Sequence, residues 1–220
     1  MDKIFKIIIG PILLAPAIYL IVVWNSLPDK IGIHFDWRGN PDKFSDKSGL
    51  LINIVIIIVV AIAIYILLPL SYKIDRKKRA IENKSRLQRL AFAIAVFMSL
   101  LACVLINNAQ KGEGVRLNIK LIFGCIGLLW CISGNYMHNI KPNNFAGYRT
   151  RWTLNNEENW RRTHLLAGKL WFAGGLLVAI TCFFTSGNIP IIAFMSITII
   201  ITLIPGIYSY RLYKKQTTRN

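Results

Sequence analysis

The stretch LINIVIIIVVAIAIYILL, residues 51–68, is apolar on every face of a helix, with Asn53 near its start as the one amide. A transmembrane β-strand would run for about ten residues and alternate polar with apolar side chains. This run does neither. Backbone N–H and C=O groups find no water in lipid, so a lone segment that crosses must bond to itself as a helix. At about 1.5 Å rise per residue, the run spans most of a hydrocarbon core about 30 Å thick.

Working outward, residues 50–72 hold this stretch, and 7–24, 90–106, 121–137, 170–184 and 189–210 are equally poor in charge. A chain that is 54% hydrophobic and only 17% charged has the composition of a membrane protein. The first run follows Lys3 and Lys6, as a signal peptide would, but it ends in bulky Val22, Val23 and Trp24 with no small-residue cleavage pair. It is expected to stay as an anchor. The expectation is an all-α integral membrane protein with six transmembrane helices.

The net charge of +17 is a topology signal before it is a nucleic-acid signal. With the amino terminus inside, the inner segments carry 20 Lys and Arg and a net +15, against 7 and a net +2 outside. That bias places both termini in the cytoplasm. It also suits a bilayer with anionic headgroups as the partner of the inner basic segments, with no direct nucleic-acid binding.

The chain divides into a first helical hairpin, residues 1–72, with a structured outer loop at 25–49; a basic cytoplasmic linker at 73–89, expected to be helical; and a four-helix region at 90–220 with an inner loop at 138–169. Pro11, Pro16 and Pro205 are expected to kink the first and last spans. Gly124, Gly127, Gly168, Gly174 and Gly175 would allow close helix crossings.

Chemistry-bearing groups are sparse. All ten carboxylates fall outside the spans, whereas pumps and proton-driven carriers usually place ionisable groups at mid-membrane. Cys103, Cys125, Cys131 and Cys182 lie inside the spans without ligand spacing, as buried free thiols do. His34, His138 and His164 are too scattered for a metal site, and HExxH, GxSxG, Walker and GxGxxG patterns are absent from the sequence. Asp36, Asn40 and Asp42 alternate, but Arg38 stands where a calcium loop needs a ligand. No catalytic, metal or cofactor site is expected, and the chain is read as a non-enzyme.

Two loops carry information. In the outer one, Ile31, Ile33, Phe35 and Trp37 alternate with Gly32, His34 and Asp36, a period of two that predicts a short strand. The turn RGNP predicts a small β-hairpin. His34, Asp36, Trp37 and Asp42 are the candidate outer-face recognition residues.

The inner loop reads KPNNFAGYRTRWTLNNEENWRRTHLLAGKL, residues 141–170. Asn155 with Glu158 three residues on is a variant capping pair, so a helix is expected from near Asn156 into the fifth span. Trp160, His164, Ala167 and Trp171 share one side of it, as aromatic anchors at headgroup level would. Upstream, Pro142, two asparagines and Gly147 suggest defined turns, and Arg149 and Arg151 suit phosphates, helix-end carbonyls or a protein. A clasp between helices and a binding site both fit.

This stretch resembles the signature of the Sdp immunity-protein family, a K-P-N-x-x-x-G-x-R-T-P-W-T-L run followed by E-x-x-W-x-x-T-H. Lys141, Pro142, Asn143, Gly147, Arg149, Thr150, Trp152, Thr153, Leu154, Glu157, Trp160, Thr163 and His164 fit it, while Arg151 stands where the pattern has proline. The outer loop resembles the amino-terminal domain of unknown function that often accompanies the signature. The resemblance implies a multi-pass protein of the bacterial cell (inner) membrane, giving resistance to a secreted peptide toxin met at the outer face. It also implies, in some systems, a cytoplasmic transcriptional repressor held at the membrane. The candidate signature and partner residues are Asn143, Gly147, Arg149, Thr150, Trp152, Glu157, Trp160 and His164.

Two other classes compete. A transporter or lipid-handling protein exporting a peptide or amphipath would use the kinked helices and Asn53. An enzyme at the inner headgroup layer would use His138 or His164 with Glu157 or Glu158.

Overall fold

The computed structural model describes residues 3–76 and 80–217. Its helices are α1 Lys3–Val23, α2 Lys47–Leu70, α3 Lys84–Gln110, α4 Ile119–Met137, α5 Arg151–Asn155, α6 Glu157–Phe184 and α7 Ile189–Thr217, and its strands are β1 Ile31–Phe35 and β2 Pro41–Ser45. Among the described residues, all the helices but α5 are long and apolar enough to cross a membrane. The protein is an all-α, six-span membrane protein carrying one small sheet.

Two compact units emerge, one of residues 1–66 and 91–122, the other of 67–90 and 123–220. In the first, β1 and β2 pair antiparallel with Ile31 opposite Ser45 and an irregular register around His34. Period-two alternation works as far as Phe35: Ile31 is buried against Leu20, Leu27, Leu50 and Ile106, and His34 faces out. Trp37 lies past the strand, in the turn, and is 51% exposed. The Asp36 carboxylate makes that turn by accepting the N–H groups of Arg38 and Asn40, each at 2.8 Å, and the Asn40 amide at 2.9 Å. Those bonds hold its pKa below the ordinary carboxylate value, the Asn40 side chain contributing most. Gly39 adopts φ +83°, and its carbonyl accepts the Leu117 N–H at 2.8 Å, tying the hairpin tip to the α3–α4 connection. A Cβ at Gly39 would strike the Leu117 carbonyl.

In the second unit, α4 and α6 meet through glycines. A Cβ on Gly127 would lie 2.7 Å from the Gly175 carbonyl, and one on Gly134 2.7 Å from the Gly168 carbonyl. Gly127 with Gly134 and Gly168 with Gly175 repeat every seven residues, so one helix face meets the other at two levels. Lipid tails are as apolar as leucine, and this close backbone approach supplies the packing that a hydrophobic drive cannot. Of the glycines expected at crossings, Gly174 packs instead on Ile197 and Ile201 of α7. Phe194 of α7 stacks on Phe123 at 4.1 Å and Trp130 at 5.2 Å.

The basic run at 73–89 is not one helix. Its described part consists of 3-10 turns at Ser71–Lys73 and Ala80–Asn83 and the start of α3; Lys77, Lys78 and Arg79 lie outside the described residues.

The signature loop as candidate functional site

The signature folds on its own hydrogen bonds. Asn143, 1% exposed, accepts the N–H groups of Phe145 and Ala146 at 2.9 and 2.8 Å and donates to the Lys141 carbonyl at 2.9 Å. That amide replaces the backbone partners that a turn after Pro142 lacks. Asn83 clamps the same segment from the 3-10 turn just before α3, donating to the Lys141 carbonyl at 2.9 Å and accepting its N–H at 2.8 Å. Asp75 adds a second clamp by accepting the backbone and side-chain N–H groups of Asn144.

Gly147 takes φ +103°, which glycine adopts freely, and a Cβ there would run into Nε2 of His164. One residue on, the Tyr148 N–H donates to that Nε2 at 3.0 Å. His164 Nδ1 lies 2.8 Å from the Trp160 carbonyl. A backbone N–H only donates and a carbonyl only accepts, so the ring is the neutral tautomer with its proton on Nδ1. Both nitrogens are engaged, and the ring stacks on Trp160 at 3.9 Å. The Trp160 indole donates to the Ile140 carbonyl at 2.8 Å.

Trp160 and His164 are therefore packed inside the protein, as is Ala167, rather than presented to headgroups. The expected aromatic stripe exists, but it faces protein.

The helix start also differs by one residue. Asn156, not Asn155, is the N-cap of α6, its side chain accepting the Asn159 N–H at 2.8 Å. Asn155 instead ends α5, a short helix with Thr150 as N-cap and Thr153 closing a reciprocal capping box. Arg151 is the first residue of α5, and Thr150 before it has φ −92° and ψ 162°. Those are the positions where proline and its predecessor fit, so the backbone at Arg151 is one that proline could also occupy.

Three further bonds reach α7. The Tyr148 hydroxyl donates to the Ile201 carbonyl at 2.6 Å. Ile201 is four residues before Pro205, which has no N–H to offer it. The Trp152 indole donates to Ser209 Oγ at 2.9 Å, and the Asn159 amide to the Ser209 carbonyl at 3.0 Å. Trp152 also stacks on Tyr213 at 5.8 Å.

The candidate residues thus fall into two sets. Asn143, Trp160 and His164 are buried, and Thr150, Trp152 and Gly147 are built into the fold around them. Arg149 and Glu157 are exposed, with Arg149 donating to the Asn144 carbonyl at 2.6 Å. Arg161 and Arg162 pair with Glu158 beside them. On the hairpin, His34 pairs with Asp42 and Asp36 makes the turn. Asn83, Tyr148, Asn159 and Ser209 went unnoticed in the sequence. The signal for Tyr148 was Pro205, since a proline inside a helix leaves a carbonyl in want of a donor.

Residues 139–209 match the SdpI/YfhL protein family, and residues 12–59 match a domain of unknown function (DUF1648). The chain is 30% identical over 197 residues to "Immunity protein SdpI" of Bacillus subtilis (strain 168), covering 89% of each chain. No solved structure matches.

Proposed function

Because the chain belongs to the SdpI/YfhL protein family, we propose that this multi-pass bacterial membrane protein protects its cell against a secreted peptide toxin. The observation that carries the proposal is the full-length likeness to an immunity protein, 30% identity over 89% of both chains. Recognition is assigned to the hairpin side, where His34, Trp37 and Arg38 stand exposed.

On the cytoplasmic side the buried signature residues act as scaffold, and the exposed Arg149, Arg151 and Glu157 form the rim that a repressor protein would meet. Arginine suits that work, since its planar fork binds carboxylates and backbone carbonyls at two points. The basic inner segments rest on anionic headgroups. A non-enzymatic role is part of the proposal, supported by His164, whose ring nitrogens are both bonded to backbone groups.

The test is gain of protection in a toxin-sensitive bacterium expressing the chain and plated beside peptide-secreting neighbours of the source strain. Growth into the inhibition zone is expected. An unchanged zone at verified membrane insertion, across a panel of such neighbours, would overturn the reading.

A further inference from the structure

At the hairpin end of α1 and α3 lies a cavity of about 360 Å³ whose lining combines apolar Leu100, Val104 and Leu121 with polar Asn107, Asn108, Lys111 and Asn118. Leu100 is exposed and lies two turns deeper along the spanning helix α3 than Asn107, so an occupant would find hydrocarbon at one end and amides at the other.

The orientation of each amide is forced. Ser26 Oγ lies 2.8 Å from the Val23 carbonyl, which only accepts, so the hydroxyl donates to it. Gln110 must then offer Nε2 to Ser26 Oγ at 3.3 Å, leaving Oε1 for the Tyr19 hydroxyl at 2.7 Å. Tyr19 has thereby spent its proton, and Asn107 must offer Nδ2 to it at 3.3 Å. Asn108, only 8% exposed, donates Nδ2 to the Val115 carbonyl at 3.3 Å. Asn118 accepts the Leu121 N–H on Oδ1 at 3.2 Å. Among the described residues, this leaves Oδ1 of Asn107 and of Asn108 as free acceptors, with the second N–H of each of those amides, Nδ2 of Asn118 and the Lys111 ammonium as free donors.

We infer that this cavity binds a short segment of amphipathic peptide, its apolar side chains against Leu100, Val104 and Leu121 and its backbone on the asparagines. Peptide units both donate and accept, and so can satisfy the two free Oδ1 acceptors as well as the free N–H donors. A phosphate diester only accepts, and would leave the two Oδ1 atoms without donors. The inference rests on the immunity reading for the ligand's source, a secreted peptide.

Cys103 also lines the cavity and reports its occupancy. In the full chain with Cys125, Cys131 and Cys182 replaced by alanine, reconstituted in nanodiscs, maleimide labelling of Cys103 would be timed against two probes. These are N-acetyl-leucyl-leucine methylamide and dihexanoyl phosphatidylglycerol, each at about 10 mM. For a small ligand of about 1 mM Kd, the peptide is expected to slow labelling roughly tenfold. Asn118→Asp keeps the cap oxygen but removes the amide donor, and Lys111→Met removes the ammonium; each should reduce the protection at least about threefold. Equal or stronger shielding by the lipid would make this a phospholipid site and overturn the inference. So would peptide shielding that is absent, or that persists unchanged in both variants.

Failure here is separable from failure of the immunity reading. If the wild type protects cells and Asn118→Asp protects them equally, the cavity assignment alone falls. If Cys103 is shielded but the wild type protects no cell, the immunity reading alone falls.

Discussion

Gly147 and His164 are matched to each other: the glycine's left-handed φ of +103° brings its α-carbon against the ring, and the next N–H seats on Nε2 at 3.0 Å. Either residue alone would be unremarkable in a loop and a helix. Together they fix where the signature turns and which tautomer the histidine holds. Gly147→Ala is expected to destabilise by roughly 2–4 kcal/mol, from strain at positive φ and displacement of the ring. Gly206→Ala is the control, since a Cβ there has nothing within 4 Å, and should be neutral or stabilise by up to about 1 kcal/mol. Thermal unfolding in micelles, followed by tryptophan emission, measures both.

Arg151→Pro should be tolerated. The residue opens α5 behind an extended Thr150, so proline loses no helical bond and limits the unfolded chain, raising stability by about 0.4–1 kcal/mol. A loss of about 3 kcal/mol, as for proline inside a helix, would show that α5 starts elsewhere.

The Tyr148 hydroxyl and Pro205 are coupled through the Ile201 carbonyl. Tyr148→Phe should cost about 1–2 kcal/mol, since it leaves a carbonyl without a donor. In a Pro205→Ala background residue 205 regains its N–H, and the same substitution should cost less by roughly 0.5–1 kcal/mol. A double-mutant cycle reads that difference directly.

The hairpin should loosen in acid. Asp36 and Asp46 both have pKa values held below the ordinary carboxylate value, Asp36 mainly by the Asn40 side chain and Asp46 mainly by the Ser48 hydroxyl. A depressed folded pKa contributes stability that is present above the unfolded value and lost as pH falls through the folded one. Amide hydrogen exchange at Arg38, Asn40, Ser48 and Gly49 should therefore keep its protection factor from neutral pH down to about pH 4 and lose it below. Protection factors that fall already between about pH 7 and 5 would point to a different titrating group.

Much of this architecture was legible in the sequence, for a physical reason. Lipid offers no partner to backbone groups, so a run such as residues 51–68 has one way to cross, and six such runs give six helices. The hairpin followed from alternation at Ile31, Ile33 and Phe35, because strand faces repeat every two residues. The signature was harder to read. Helical spacing put Trp160 and His164 on one face correctly, but spacing cannot say whether that face meets lipid or protein; Leu87 and Ile140, which pack with Trp160, are distant in sequence. The α6 cap was misassigned by one residue because Asn155 and Asn156 are chemically identical candidates. Only the preceding capping box at Thr150 and Thr153 distinguishes them.

The central claim is that this protein confers immunity and that the exposed rim of its signature takes part. The direct measurement is survival of a deletion strain under challenge by peptide toxins from its neighbours, carrying plasmid copies of the wild type or of Arg149→Ala at matched membrane abundance. The account predicts that the wild type restores survival and that Arg149→Ala, normally folded and inserted, restores much less. Equal survival with an empty plasmid, with the wild type and with Arg149→Ala, across the toxin panel, would contradict it.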